Sequence, residues 1–111
     1  MAIDKYKYTV QEAVNITTDA SAIVLTDDGQ VKATAGSIIA IMVSINGFTA
    51  ADKIEIKNST DNSGTALISF VATAAAQSWM FTPGTNIPFS TAIFCDVTKS
   101  GGTCSVTAIY I

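Results

Sequence analysis

The chain has 111 residues, enough for one domain whose modest core takes roughly 65% of the extended-chain surface out of water. Nine acidic residues face six basic ones, all of them lysine, for a formal net charge of -3, and histidine is missing altogether. Catalysis by histidine is therefore excluded, and a nucleic-acid partner is disfavoured because neutralising a phosphate backbone needs a basic surface.

Charged residues make up 14% of the chain and hydrophobic ones 49%, against about 25% charged in an ordinary soluble domain. The polar surface must come largely from Thr, Ser and Asn, and so little charge implies that part of the surface is covered by another chain. The apolar run Ile38–Val43 is far shorter than the roughly 20 residues of a membrane-spanning helix, so no membrane partner is expected. The opening stretch MAIDKYKYTVQEAV lacks an apolar signal core, so the chain is expected to appear first in the cytoplasm.

Along the chain, Tyr6, Tyr8 and Val10 alternate with Lys5, Lys7 and Thr9, the spacing of a half-buried strand or of an arm lying on a neighbour. Residues 1–20 are expected to be this N-terminal strand or arm, and residues 21–111 the folded domain. Ser21–Thr26 reads as a strand, Asp27-Asp28-Gly29 as a turn and Gln30–Thr34 as the return strand. Ser37–Asn46 is the most apolar strand and the expected centre of a sheet, with Asn46-Gly47 turning after it. Lys53–Asn58 alternates cleanly, Ile54 and Ile56 on one face and Lys53, Glu55 and Lys57 on the other.

A polar loop over Ser59–Thr65 precedes the strand Leu67–Ala72, and Thr73–Gln77 has no clear assignment. Ser78–Phe81 is a short aromatic strand before the Pro83-Gly84 turn. Pro88 lacks a ladder donor, so Asn86–Phe89 should be an edge or an extended loop. Thr91–Thr98 and Thr103–Ile111 flank Lys99–Gly102 in the pattern of a hairpin, with the terminus tied into a sheet. Eight or nine strands in so short a chain require two packed antiparallel sheets or a closed barrel. The expected fold is an all-β, antiparallel two-sheet β-sandwich with jelly-roll-like winding, immunoglobulin-like winding and a small barrel being the alternatives.

Candidate sites are few. If Thr98 lies opposite Gly101, Cys95 faces Cys104 directly; if it lies opposite Thr103, the two are diagonal neighbours. The first register permits a disulfide, while the missing signal segment argues for reduced core thiols. Asp27 and Asp28 share one turn, and Asp61 sits beside Asn62, Ser63 and Gly64 in another. Both are explained by Asx turns, without the spacing of a calcium loop. Two sulfurs without histidine make a zinc site improbable, and no base is at hand to activate a serine. Neither an enzyme nor a bound cofactor or metal is expected. Trp79 and Phe81 beside the Pro-Gly turn suit a subunit contact, a sugar-stacking platform or the end of the core. The expected contact residues are thus Tyr6, Tyr8, Val10, Trp79 and Phe81.

The run GSIIAIMVSING, the strand KIEIKN, its polar loop, LISFVA and the tail FTPGTNIPFSTAIFCDVTKSGGTCSVTAIYI resemble, in layout, the small β-sandwich structural proteins of tailed bacteriophages, over about residues 36–111. The resemblance implies a virion structural protein that decorates or cements a capsid, or forms a short head or tail knob. It further implies a homo-oligomer, often a trimer, with the major capsid or another virion protein as partner. Such a protein sits on the virion surface after assembly in the host cytoplasm. No functional residue is carried over from it. A carbohydrate-binding or adhesion module and a non-viral pilus or surface-layer subunit are the competing readings.

Overall fold

Period-two alternation decides the strands. The computed structural model describes residues 20–111, and among them nine strands form. They are β1 (Ser21–Leu25), β2 (Gly29–Lys32), β3 (Gly36–Asn46), β4 (Lys53–Asn58), β5 (Thr65–Val71), β6 (Gln77–Phe81), β7 (Ile87–Phe89), β8 (Ile93–Thr98) and β9 (Thr103–Tyr110). Every strand expected within these residues is present, most of them displaced by a residue or two at their ends. Except for Ala20, the expected N-terminal strand or arm, with Tyr6, Tyr8 and Val10, lies outside the described residues.

The strands form two antiparallel sheets. In the first the order is β1-β9-β3-β6, with β7 also pairing with β3; in the second it is β2-β8-β4-β5. Along one edge of β3, β7 covers Gly36–Ile38 and β6 covers Ile41–Ile45. Pro88 in β7 therefore sits on an edge, where its missing N–H does no harm. The pairs β1·β9, β2·β8, β3·β6 and β4·β5 are nested in the sequence like the rungs of one long hairpin.

The two sheets close on a single core to make a β-sandwich. Ile38, Ile41, Val43, Ile45, Phe89, Val106 and Ala108 come from the first sheet, and Val31, Ile54, Ile56, Ile68, Phe70, Ile93 and Val97 from the second. A bulge between Ile38 and Ala40 shifts the phase of β3, so Ile38 and Ile41 both turn inward although three residues apart. Ile111 exchanges backbone hydrogen bonds with Ser37, which ties the last residue to β3.

Two expected hairpins do not form. Asp27-Asp28-Gly29 turns the chain, but β1 and β2 belong to opposite sheets. The same holds for Lys99–Gly102 between β8 and β9. Turn residues fix a local reversal; whether the next strand pairs alongside or crosses the core depends on the burial of both its faces. At the first corner the Asp28 carboxylate accepts the Val97 N–H and continues the β8 ladder where β2 has not yet begun. The unassigned segment Thr73–Gln77 is a bend held by Gln77, whose Oε1 accepts the Thr73 N–H at 2.7 Å and whose Nε2 donates to the Thr73 hydroxyl at 2.8 Å. Asn58 pins the β7–β8 crossover, its Oδ1 accepting the Thr91 N–H at 2.8 Å and its Nδ2 donating to the Ser90 hydroxyl at 2.9 Å.

Candidate functional site

The two outer faces of the sandwich differ in charge. On the second sheet, β2, β4 and β8 carry Lys32, Lys53, Glu55, Lys57 and Asp96. Glu55 and Asp96 are cross-strand partners, a repulsive pairing by itself. Lys57 lies between them, its Nζ 2.7 Å from Asp96 Oδ2 and 3.9 Å from Glu55 Oε1, and it also donates to the Asn62 carbonyl at 2.7 Å. The Asp96 hydrogen bond, ahead of its charge, raises the Lys57 ammonium above its ordinary value. Asp96 is only 8% exposed under this lysine.

The first sheet is unlike this. None of the residues of β1, β3, β6, β7 or β9 is charged. Inward residues alternate with an outer set that, apart from Asn46 at the end of β3, is apolar or hydroxylated. Val24, Thr107, Met42 and Met80 form one row across four strands, each the register partner of the next. Val24 is 60% exposed, Met42 38% and Met80 73%. Ala22, Ile109 and Ala40 make the adjoining row, and Ser105, Ser44 and Ser78 another. A shallow depression of about 390 Å³ crosses this face, lined by Met42, Met80, Thr107 and the three serines, with Val43 and Trp79 completing it. Methionines in an uncharged hollow make an adaptable apolar contact surface.

Trp79 and Phe81 occupy the other side of β6. Both are half-buried and pack on the core. The Phe70 ring lies 5.7 Å from Trp79 and 6.5 Å from Phe81, tilted and edge-on respectively. Sequence reasoning picked out these large aromatics and passed over Met80 between them. Replacing Trp79 with Ala is expected to lower stability by about 2–3 kcal/mol, less than for a fully buried ring. Met80→Ser should stay within about 0.5 kcal/mol. Urea unfolding of the two variants measures the contrast.

The cysteines are free and buried, on strands of opposite sheets. Neither hairpin register applies: Cys95 lies opposite Gly29 and Ile56, and Cys104 opposite Ile45. Burial first, then the neighbouring Cys104, Asp28, Asp96 and Asp27, pushes the Cys95 thiol up to about 12. The unfolded chain gives up this proton near the ordinary value of 9.0. The contribution to stability is therefore complete below pH 9 and declines as pH rises towards 12, by up to about 1.4 kcal/mol per unit. Urea titrations between pH 9 and 10, below the Lys57 transition, should show this slope in the native chain and a flatter one in Cys95→Ala.

Asp61 accepts hydrogen bonds from the Ser63 N–H at 2.8 Å, from the Ser63 hydroxyl and from the Ser59 hydroxyl at 3.1 Å. The Ser63 bonds, foremost, hold its carboxyl below the usual value. This is the expected side-chain-to-backbone turn. Among the described residues no three His, Cys, Asp or Glu side chains converge as a metal site would require, and no catalytic cluster is seen. No helix among them is long and apolar enough to cross a membrane. No protein-family model matches the chain, and no curated protein matches it in sequence.

Proposed function

We propose that the protein is a non-enzymatic virion structural subunit that decorates or cements a tailed-phage capsid through protein–protein contacts. The observation that carries this reading is the uncharged, methionine-bearing outer face of the first sheet, set against an ion-paired face on the second. An isolated monomer gains nothing from such asymmetry, whereas a subunit that lays one face on protein and the other in water requires it. We also read the winding as a jelly roll. The four nested pairs and the orders β1-β9-β3-β6 and β2-β8-β4-β5 support it, and capsid domains are among the users of that architecture. The layout resemblance to phage β-sandwich proteins points the same way.

On this reading the partners are the major capsid or another virion protein and further copies of the chain, a trimer being the favoured assembly. The site of action is the virion surface, reached from the host cytoplasm, with neither nucleic acid nor membrane involved. A carbohydrate-binding module would call for an exposed Trp79, and the half-burial of that ring against Phe70 counts against it. The test is co-sedimentation of the labelled full chain with purified heads of the phage whose genome encodes it. Saturable binding at a fixed copy number is expected, and Met80→Lys should weaken it about tenfold or more. Absence of binding, or a coding sequence outside any phage genome, overturns the reading.

A further inference from the structure

We propose that the uncharged outer face of the first sheet is the seat for residues Lys5–Val10 of a second copy of this chain. The inference rests on the self-association invoked above and gives it a location. Its first support is where the described chain begins. Ala20 directly precedes β1, the edge strand of this very sheet. Nineteen residues therefore precede the rim of the face in question.

The second support is chemical. Tyr6, Tyr8 and Val10 alternate with Lys5, Lys7 and Thr9. An extended segment of this pattern has one aromatic and aliphatic side and one lysine side. The face it would lie on has no charge to pair with a lysine, but it offers Met42, Met80 and Val24, two of them thioethers suited to aromatic rings. Laid apolar side down, the segment leaves both lysines in water. Dimensions agree as well. From Tyr6 to Val10 an extended chain runs about 14 Å at roughly 3.4 Å per residue, and the row from Val24 to Met80 crosses three strand spacings, also about 14 Å.

The third support is area. Four strands by five residues make a face of about 19 × 17 Å, roughly 320 Å², well below the ~800 Å² per partner of a stable interface. Flat pairing of two such faces is therefore insufficient. If each copy takes part twice, once as face and once as arm, its buried area about doubles to roughly 640 Å², which reaches the low end of the range, about 600 Å² per partner. A reciprocal exchange between two copies meets this condition, and so does a head-to-tail contact whose rotation closes it into a ring such as a trimer. A second copy is preferred over the chain's own segment because a segment folded back on its own face adds nothing to the contact between copies, which the flat faces alone leave too small.

The experiment uses full-length chains carrying Tyr8→Cys or Met80→Cys, mixed and mildly oxidised, with the linked peptides read by mass spectrometry. Only a bond between two chains can join positions 8 and 80 in this mixture. The expected yield is at least about tenfold above that of Tyr8→Cys mixed with Ser69→Cys, on the exposed outer face of the second sheet, because seating raises the effective concentration. Equal yields overturn the proposal. A bond between 8 and 80 that forms in the double variant but not in the mixture overturns it in favour of the chain's own segment. Light scattering of the unmodified chain separates the two levels of failure. A stable oligomer without the 8–80 bond removes the seat and leaves self-association standing, whereas a strict monomer removes both.

Discussion

Replacing Phe89 with Ala is expected to lower the unfolding free energy by about 3–5 kcal/mol, the range for a fully buried ring lost from a core. Phe89 is only 1% exposed. It stands on β7, a three-residue edge strand joined to β3 through the pairs Gly36↔Phe89, Ser37↔Pro88 and Ile38↔Ile87. A strand so short has little ladder to hold it, and the ring anchors it between the two sheets. A domain has about 5–15 kcal/mol in total, so the loss removes about a fifth or more of what is available. The measurement is a urea titration. The midpoint should fall sharply with the slope unchanged, since the surface exposed on unfolding stays nearly the same. Pro88→Ala, at the exposed neighbouring position, should stay within about 0.5 kcal/mol. A loss below about 1 kcal/mol in Phe89→Ala would show that β7 is not fastened through its side chain.

What could be read from the sequence follows from the range of the forces involved. Strands announce themselves through neighbours two residues apart, as in Lys53–Asn58, where Ile54 and Ile56 are buried and the charged residues face out. Pairing does not. Asp27-Asp28-Gly29, Asn46-Gly47 and Lys99–Gly102 all mark reversals correctly, yet each leads across the core to the opposite sheet. Among the described residues only β4 and β5 form a hairpin between consecutive strands across their turn. Both hairpin registers expected for Cys95 and Cys104 fail for the same reason, since each has the turn join paired strands, whereas the expected reduced core thiols are present.

The proposed contact surface is partly legible in the sequence. The scarcity of charge pointed to a covered face, but bulky aromatics drew attention to Trp79 and Phe81, which serve the core side of β6. The exposed row of Val24, Met42 and Met80 emerges only when β1, β9, β3 and β6, distant in sequence, are set side by side. A usable signal was nevertheless present. SAIVL, GSIIAIMVSIN, QSWMF and TCSVTAIY are uncharged on both alternating sets. β5, TALISFV, is uncharged as well, with Leu67 and Val71 exposed, but it lies beside the charged β4, so the signal is the run of uncharged strands that share one sheet.

Gly102→Ala is the second substitution with a large expected effect, a loss of at least about 2 kcal/mol and about 3–4 if the corner cannot relax. Gly102 has φ +81°, a left-handed conformation that strains any residue bearing a Cβ. An added methyl would also lie 2.6 Å from both the carbonyl carbon and oxygen of Gly47, with the Asn46 carbonyl oxygen against it as well. These are backbone atoms and cannot rotate away. The corner resists movement because the β3–β4 and β8–β9 crossovers are joined there. The Asp52 carboxylate accepts N–H groups from Thr49 at 2.9 Å and Ser100 at 3.3 Å, so it belongs to one crossover and grips the other.

The neighbouring glycines supply the controls. Gly101 has open space around it, so Gly101→Ala should be within about 0.5 kcal/mol of the native chain. Gly47→Ala falls between, since its φ is +77° but its nearest contact, the Gly102 Cα, is at 3.1 Å, for a loss of about 1–2 kcal/mol. Urea midpoints in the order Gly101, Gly47, Gly102 would establish that the strain comes from backbone meeting backbone. Equal losses at Gly47 and Gly102 would assign it to the left-handed conformation alone. The distinction bears on the assembly reading, because this corner is one of the places where the uncharged sheet is fastened to the ion-paired one. A subunit that presses only one face on a partner needs those fastenings to carry the load between its sheets.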